Sequence, residues 1–340
     1  MSGVAKITVD AEEGEVRLDR WFRRHFPHVT HGRLEKMLRK GEIRVDGARA
    51  QAATRILPGQ VVRVPPLPEA PPPEPAPPAV DETDADFIRS CVIYKDRDVI
   101  ALNKPPGLAS QGGPGITRHL GLFEEALKFE RTQTPRLVHR LDRDTSGVIV
   151  LARTAPAAAA LSKAFHSRAA RKLYWAAVAG EPKPRRGTIR YGLVKAPGAR
   201  GDKMLCVLPD LVESTPGAKR AVSDYAVIES AAGRASWVAL RPVTGRTHQL
   251  RAHMAEIGCP VVGDGKYGGN AQTNEGAGWG AQLGGEISRK LHLHARRLEI
   301  PHPSEDRRLV IEAPMPEHMR RTWGVFGWRE QDAPDDPWEG

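Results

Sequence analysis

Apolar residues recur along this chain at two spacings, and the change from one to the other divides it. Near the start, Leu18, Trp21 and Phe22 stand at i, i+3, i+4, which predicts a helix with one buried stripe. Thr30 is placed to cap a second helix in which Leu34, Met37 and Leu38 repeat that spacing, and Gly41 is placed to stop it. Ile43-Arg44-Val45, the turn pair Asp46-Gly47, Pro58-Gly59 and Val61 to Val64 then read as short strands joined by turns. Further on, apolar runs of strand length dominate: Val99 to Leu102, Val148 to Ala152, Tyr174 to Val178, Tyr225 to Ile228 and Trp237 to Leu240. Two helices fit among them, Pro156–Phe165 and His248–Ile257; in the second, Leu250, Met254 and Ile257 form one face and Gly258 follows as a stop. There is no βαβ alternation and no fixed-period repeat. The expected class is α+β with a mostly antiparallel mixed sheet.

Between the two patterns lies Pro66–Asp86, with eight prolines and almost no apolar bulk. Such a stretch cannot bury enough surface to fold and reads as a semi-extended linker. The expected organisation is therefore a small unit over 14–65, a linker over 66–86 and a large unit over 87–325. Charge follows the same division. The chain carries +10 overall, but residues 1–65 hold 13 basic and 8 acidic side chains, while 66–86 hold 6 acidic and no basic ones. Two basic blocks flanking an acidic spacer suggest a polyanionic partner, most simply nucleic acid. Arg33, Lys36 and Lys40 share one face of the second helix, with Arg39 alongside. Taken alone, that is an ordinary solvated face.

Three widely separated cysteines, Cys91, Cys206 and Cys259, argue against a disulfide framework and for a reducing compartment. No apolar run approaches membrane-spanning length, and Met1 to Val16 resembles neither a secretory signal nor a transit peptide. A cytoplasmic location is expected. Gly269 to Gly285 reads as a mobile surface loop.

Candidate chemistry narrows by elimination. His248 and His253 are five apart, not the i, i+4 of a helical zinc pair, and His292 and His294 have no clustered companions, so no metal site is expected. No phosphate-cradling glycine motif and no serine elbow are present, and no cofactor is expected. What remains is a carboxylate, arginines and a tyrosine. His139-Arg140-Leu141-Asp142-Arg143-Asp144-Thr145-Ser146-Gly147 feeds a buried strand, so Asp142 or Asp144 should face an arginine or a cleft. Asn103-Lys104-Pro105 is by itself a turn, Tyr174 by itself a core aromatic and Arg246 by itself a surface arginine.

Their order changes this. Asn103-Lys104-Pro105, His139 to Gly147, Lys172-Leu173-Tyr174, Gly245 to Arg251, Gly263-Asp264-Gly265-Lys266-Tyr267-Gly268 and Leu293-His294-Ala295 together resemble the RluA-type RNA pseudouridine synthases. The helix, basic helix, Gly41, strand and Asp46-Gly47 order over 14–65 resembles the S4 (α-L) RNA-binding domain. The family resemblance implies an isomerase that converts uridine to pseudouridine in structured RNA without a cofactor; a monomer is expected, though the residues do not fix the oligomeric state. It implies Asp142 as catalytic aspartate, with Arg246 paired to it and Tyr174 packed on the target uracil. Arg140 would fill the gap left by the extruded base, and Asn103, Lys104 and Lys172 would bind substrate. Through the S4-like helix, Arg33, Lys36, Arg39 and Lys40 would contact RNA phosphates. The motif variants look most like the RluC branch, which acts on large-subunit rRNA. Where several relatives carry a histidine after the Asn-Lys-Pro turn, this chain has Gln111, which hydrogen-bonds but does not titrate. The residues leave open whether the aspartate attacks the ring or C1′ or acts as a base, and whether Tyr174 or a water accepts the C5 proton. A non-catalytic ribosome-assembly factor on the same fold would have no need of Asp142, Tyr174 and Arg246 together. A base deaminase would need a zinc site with a neighbouring glutamate.

Overall fold

A computed structural model describes residues 3–67, 80–113, 115–198, 203–268 and 286–338. The chain forms two compact units, Met1–Pro77 and Pro78–Gly340. In the first, helices Leu18–His25 and His31–Lys40 pack on a four-stranded antiparallel sheet of order Ala5–Thr8, Val61–Val64, Arg44–Val45, Ala48–Arg49. Thr30 caps the second helix by accepting from Arg33 N–H at 3.4 Å, and Gly41 ends it at φ 70°. Asp46 and Gly47 both have positive φ, as a two-residue hairpin with the twist of its strands requires. Leu18, Trp21, Phe22, Leu34, Met37 and Leu38 share one core with Ile43, Val62 and Val64.

The boundaries of the stretch read as a linker move inward at both ends. Leu67 is buried in the core of the first unit. Residues 82–86 belong to a helix, Glu82–Ser90, whose first turn is capped by Asp81 and carries Glu82 and Asp84. Acidic residues are favourable at a helix N-terminus, so the acidity that read as spacer is partly a helix-start signal. Gly269 to Gly285 lies outside the described residues.

The second unit is built on an eleven-stranded sheet. Its path runs Met204–Val207, Arg186–Lys195, Lys219–Ala231, Ala235–Pro242, Arg171–Ala179, Leu293–Pro301, Ser146–Ala152, Val99–Lys104 and Val92–Lys95. Arg308–Glu312 pairs with Leu293–Pro301, and Arg136–Leu137 with Ser146–Ala152. Among the described residues, the strands of this sheet all pair antiparallel except Ser146–Ala152 beside Leu293–Pro301. The continuous apolar runs have a simple cause in burial on both faces. Val148, Val150, Val99 and Ala101 face the helix Ala155–His166, while Ile149, Leu151, Ile100 and Leu102 face Ile88, Leu120, Phe123 and Leu127. The unit also extends beyond residue 325: Trp323 and Trp328, on and after the helix Glu317–Phe326, stack edge-on with centroids 5.2 Å apart and pack against Trp237. Among the described residues, no helix is long and apolar enough to cross a membrane.

The parallel seam depends on two residues. Gly147 has φ 108°, and a Cβ there would overlap the backbone of Ala295, so only glycine lets the strands approach. Beside it, the Ser146 hydroxyl donates to His294 Nδ1 at 2.9 Å, and His294 Nε2 donates to the Ala313 carbonyl at 3.1 Å. His292 is tied similarly to Thr322, and His253 to Ser223. These three histidines are fully buried, and burial pushes their pKa values down to about 3 for His292 and about 4 for His294 and His253. Each is therefore neutral when folded and gains a proton near 6.5 when unfolded. Their contribution to stability is complete above pH 6.5 and is lost as the pH falls toward the folded values. The unfolding free energy of the second unit in urea should accordingly drop between pH 7.5 and 5.5, by roughly 1 kcal/mol for each histidine. An unchanged value would mean that these rings take up protons in the folded chain as readily as in the unfolded one.

Candidate active site

Asp142 sits in a short loop just before the buried strand Ser146–Ala152, and the turn after Val99–Lys104 grips its backbone on both sides. Upstream, the Ser110 hydroxyl donates to the Leu141 carbonyl at 2.7 Å and accepts from the Leu141 N–H at 3.1 Å. Downstream, Lys104 Nζ and the Gly107 N–H both donate to the Arg143 carbonyl, at 3.0 and 2.9 Å. Lys104 spends its other donors on the carbonyls of Pro105 and Leu108. It is fully buried, and burial pushes its pKa down to about 7 against the pull of the Asp144 and Asp142 charges. One step earlier, His139 accepts the Val150 N–H at 2.9 Å and stacks on Phe165. The Asp142 loop is thus held through its main chain, which leaves the carboxylate free to face outward.

The carboxylate meets the helix Gln249–Glu256. His248, its N-terminal residue at φ 51°, places Nε2 3.9 Å from Asp142 Oδ2, and Arg251 places Nη1 3.7 Å from the same oxygen. Both separations are too long for hydrogen bonds, so Asp142 is held by charge rather than locked. Arg251 itself is fixed. Its Nε and Nη2 donate in parallel to the two oxygens of Asp264 at 2.7 Å, with both side chains buried. Asp264 also accepts the N–H groups of Lys266 and Tyr267, closing a turn that begins at Gly263, where any Cβ would strike Lys290. The Tyr267 ring lies 5.3 Å from the Arg251 guanidinium. Gln249 secures the loop before the helix, accepting from Thr244 and Arg246 N–H and donating to Val222 and Ser223. The Gly245 to Arg251 and Gly263 to Gly268 blocks are therefore two halves of one support.

Asp142, His248, Gln249 and Arg251 line a cleft of about 750 Å³ together with Gln111, His139, Arg140, Phe165, Arg168, Lys172, Tyr174 and Arg246. A bulge between Leu173 and Tyr174 in the pairing with Leu293–Pro301 re-aims the tyrosine. Burial, reinforced by the negative charge of Asp142, raises the Tyr174 pKa well above the usual phenol range, so it is an un-ionised phenol at neutral pH. Burial lowers the pKa of Lys172. Arg140 and Arg246 are exposed at the cleft surface.

The structure redistributes three of the expected roles. The arginine facing Asp142 is Arg251, whereas Arg246 Nε donates to the Arg220 carbonyl at 3.2 Å. The helix contains the reason: Arg251 lies within its buried stretch, three residues before Met254, whereas Arg246 precedes the His248 cap. Lys104 is enclosed by backbone carbonyls and unavailable to a ligand, and Asn103 donates to the Pro314 carbonyl at 3.0 Å. Asp144 pairs with Arg143 at the surface. Arg33, Lys36, Arg39 and Lys40 are all exposed on the helix of the first unit. His248, Asp264 and Tyr267 were present in the motif blocks without an assigned role, and their convergence required tertiary contacts.

Comparison with known proteins fits this geometry. Residues 98–256 match the family model described as RNA pseudouridylate synthase. A ribosomal large subunit pseudouridine synthase C of Vibrio cholerae is 33% identical over 93% of this chain and 94% of its own length. The chain belongs to the RluA family of RNA pseudouridine synthases. A mitochondrial RNA pseudouridine synthase 4 of Arabidopsis thaliana is 32% identical, covering 90% of this chain and 78% of that protein. The solved human RNA pseudouridylate synthase domain containing 4 superposes with a TM-score of 0.59 at 27% identity, over 72% of this chain and 95% of that one. This pseudouridine synthase is thus an isomerase acting on RNA. Its family motifs sort into groups that face the cleft and groups, such as Lys104, Ser146 and His294, that hold backbone.

The buried pair predicts a stability effect. Asp264→Ala should cost about 3–5 kcal/mol in chemical denaturation, because it leaves Arg251 buried without its bidentate partner. A loss below about 1 kcal/mol would show that Arg251 has re-paired with Asp142.

Proposed function

We propose that this RNA pseudouridine synthase modifies uridines of large-subunit rRNA in the cytoplasm, with Asp142 as the catalytic carboxylate. The observation that carries the catalytic assignment is the placement of Asp142 Oδ2 between His248 and Arg251, in a cleft also lined by Tyr174 and Arg140. The large-subunit target is supported by the names of relatives that align over most of the chain, including proteins of Vibrio cholerae and Rickettsia bellii. Arg251, rather than Arg246, is the positive charge that faces Asp142. Arg246 and Arg140, at the cleft surface, contact the RNA backbone and fill the space left by an extruded base, and Lys172 lies on the same wall. The reaction breaks N1–C1′ and joins C5 to C1′, so it is redox-neutral and needs a nucleophile or base and a proton acceptor. Removing the base from its stack costs roughly a few kcal/mol, which the Tyr174 ring and Arg140 offset. Tyr174, as a neutral phenol, serves as platform rather than resting-state base.

The first unit acts as an S4 RNA-binding domain, and its exposed basic helix supplies non-sequence-specific affinity. Free cysteines are consistent with a reducing compartment.

Tritium release from C5-labelled, unmodified large-subunit rRNA tests the reading. Wild type should release label, Asp142→Asn should be slower by at least about 10³-fold, and Arg251→Met should be crippled, while Arg246→Ala should mainly raise KM. Normal release by Asp142→Asn would mean another carboxylate does the chemistry. No release by wild type with RNA binding intact would favour an assembly factor or a different RNA. Separately, reversing Arg33, Lys36 and Lys40 to Glu should weaken RNA binding and flatten its log–log salt slope by about 2. An unaltered slope would assign that helix to a protein partner.

A further inference from the structure

Tyr267 has a hydrogen-bond arrangement that fixes the state of His248. Its oxygen accepts the Met204 N–H at 2.8 Å and lies 3.2 Å from His248 Nδ1. Among the described residues these are its two hydrogen-bond partners, and the Met204 amide can only donate. The phenolic hydrogen therefore has His248 Nδ1 as its acceptor. A neutral imidazole whose Nδ1 accepts must carry its hydrogen on Nε2, the nitrogen that faces Asp142 Oδ2 at 3.9 Å. The ring is held edge-on to Tyr267, with an interplanar angle of 89° and 9% of the residue exposed.

We propose that His248 is a positioning residue of the uridine isomerisation, oriented by Tyr267 so that its Nε2–H and the Arg251 guanidinium converge on one oxygen of Asp142 and hold the other toward the substrate. The inference rests on Asp142 being the catalytic carboxylate. The gap of 3.9 Å closes when substrate fills the cleft, as catalytic hydrogen bonds commonly do. The same geometry withholds His248 from proton abstraction: Nδ1 is occupied by Tyr267 and Nε2 already carries a hydrogen, so no lone pair faces the cleft. The charged and titratable groups around the ring are Asp142, Arg251, Lys266, Asp264 and Tyr267. Burial dominates among these influences and keeps the His248 pKa below the ordinary histidine range, consistent with a neutral donor.

The test is a set of single-turnover and steady-state rates on C5-tritiated rRNA, with the urea midpoint of each variant as a check on folding. His248→Ala should lower kcat about 10–100-fold with KM within about twofold, and His248→Gln, whose amide NH₂ reaches the Nε2 position, should recover to within about threefold of wild type. Tyr267→Phe keeps the ring under Arg251 and removes only the hydroxyl, so it should slow wild type about 3–10-fold and add nothing to His248→Ala. Equal rates for His248→Gln and His248→Ala, or independent multiplication of the Tyr267→Phe and His248→Ala effects, would overturn the proposal. So would a His248→Ala enzyme as fast as wild type. If His248→Ala does not fold, the comparison of Tyr267→Phe and Tyr267→Phe/His248→Gln carries the same non-additivity. Normal release by Asp142→Asn would instead overturn the catalytic assignment beneath the proposal, and the proposal with it.

Discussion

The site is organised around the buried ion pair of Arg251 and Asp264. A guanidinium and a carboxylate are expensive to remove from water, and their attraction repays this only when geometry is good and the remaining donors are used. Here two parallel bonds of 2.7 Å join them, two backbone N–H groups finish Asp264, and the Tyr267 ring lies against the guanidinium. One guanidinium nitrogen, Nη1, is left pointing at Asp142. A buried positive charge that is structurally committed elsewhere can therefore face the Asp142 carboxylate without gripping it. A direct bidentate pair between Arg251 and Asp142 would hold the carboxylate more tightly and make it a poorer nucleophile or base.

The same division between holding and reacting runs through the Asp142 loop. Lys104, Ser110 and Gly107 fix the carbonyls of Leu141 and Arg143, and His139 fixes Val150, all through the main chain. None of these contacts uses the Asp142 side chain. Rigid backbone with a free carboxyl is the arrangement that preorganises a reactive group at little conformational cost during turnover.

Much of this was legible in the sequence. The strands at Val99, Val148, Tyr174 and Trp237 and the helices at Leu18, His31 and Gln249 were readable because their period reports burial directly. The six ordered blocks carried the family because their residue types are fixed by chemistry or by close backbone approach, as at Gly147. Two errors share a cause. The linker was drawn too long because proline and acidic content hid the capped helix at Glu82, and Lys104 was read as a substrate contact because the resemblance set its turn among the family's motif blocks. Sequence shows residue type, whereas both cases turned on what the backbone offers: an orphan N–H at Asp84, three carbonyls around one ammonium.

The choice between Arg246 and Arg251 shows where motif reading ends. Both belong to one motif block, five residues apart, and resemblance favoured the one at the helix entrance. Helical geometry separates them: Arg251 lies within the helix in its buried stretch, three residues before Met254, whereas Arg246 precedes the His248 cap and lies outside the helix altogether. An arginine at the entrance is pulled toward solvent and the Arg220 carbonyl, whereas one on the inner face is buried and must have a partner. The need of Arg251 for Asp264 explains why the Gly263-Asp264 turn belongs to the same site although it lies beyond the matched region, residues 98–256. With Asp142 proposed as the catalytic carboxylate, burial of charge organises the site around it, and the residues that satisfy that charge are as much a part of the site as the carboxylate they face.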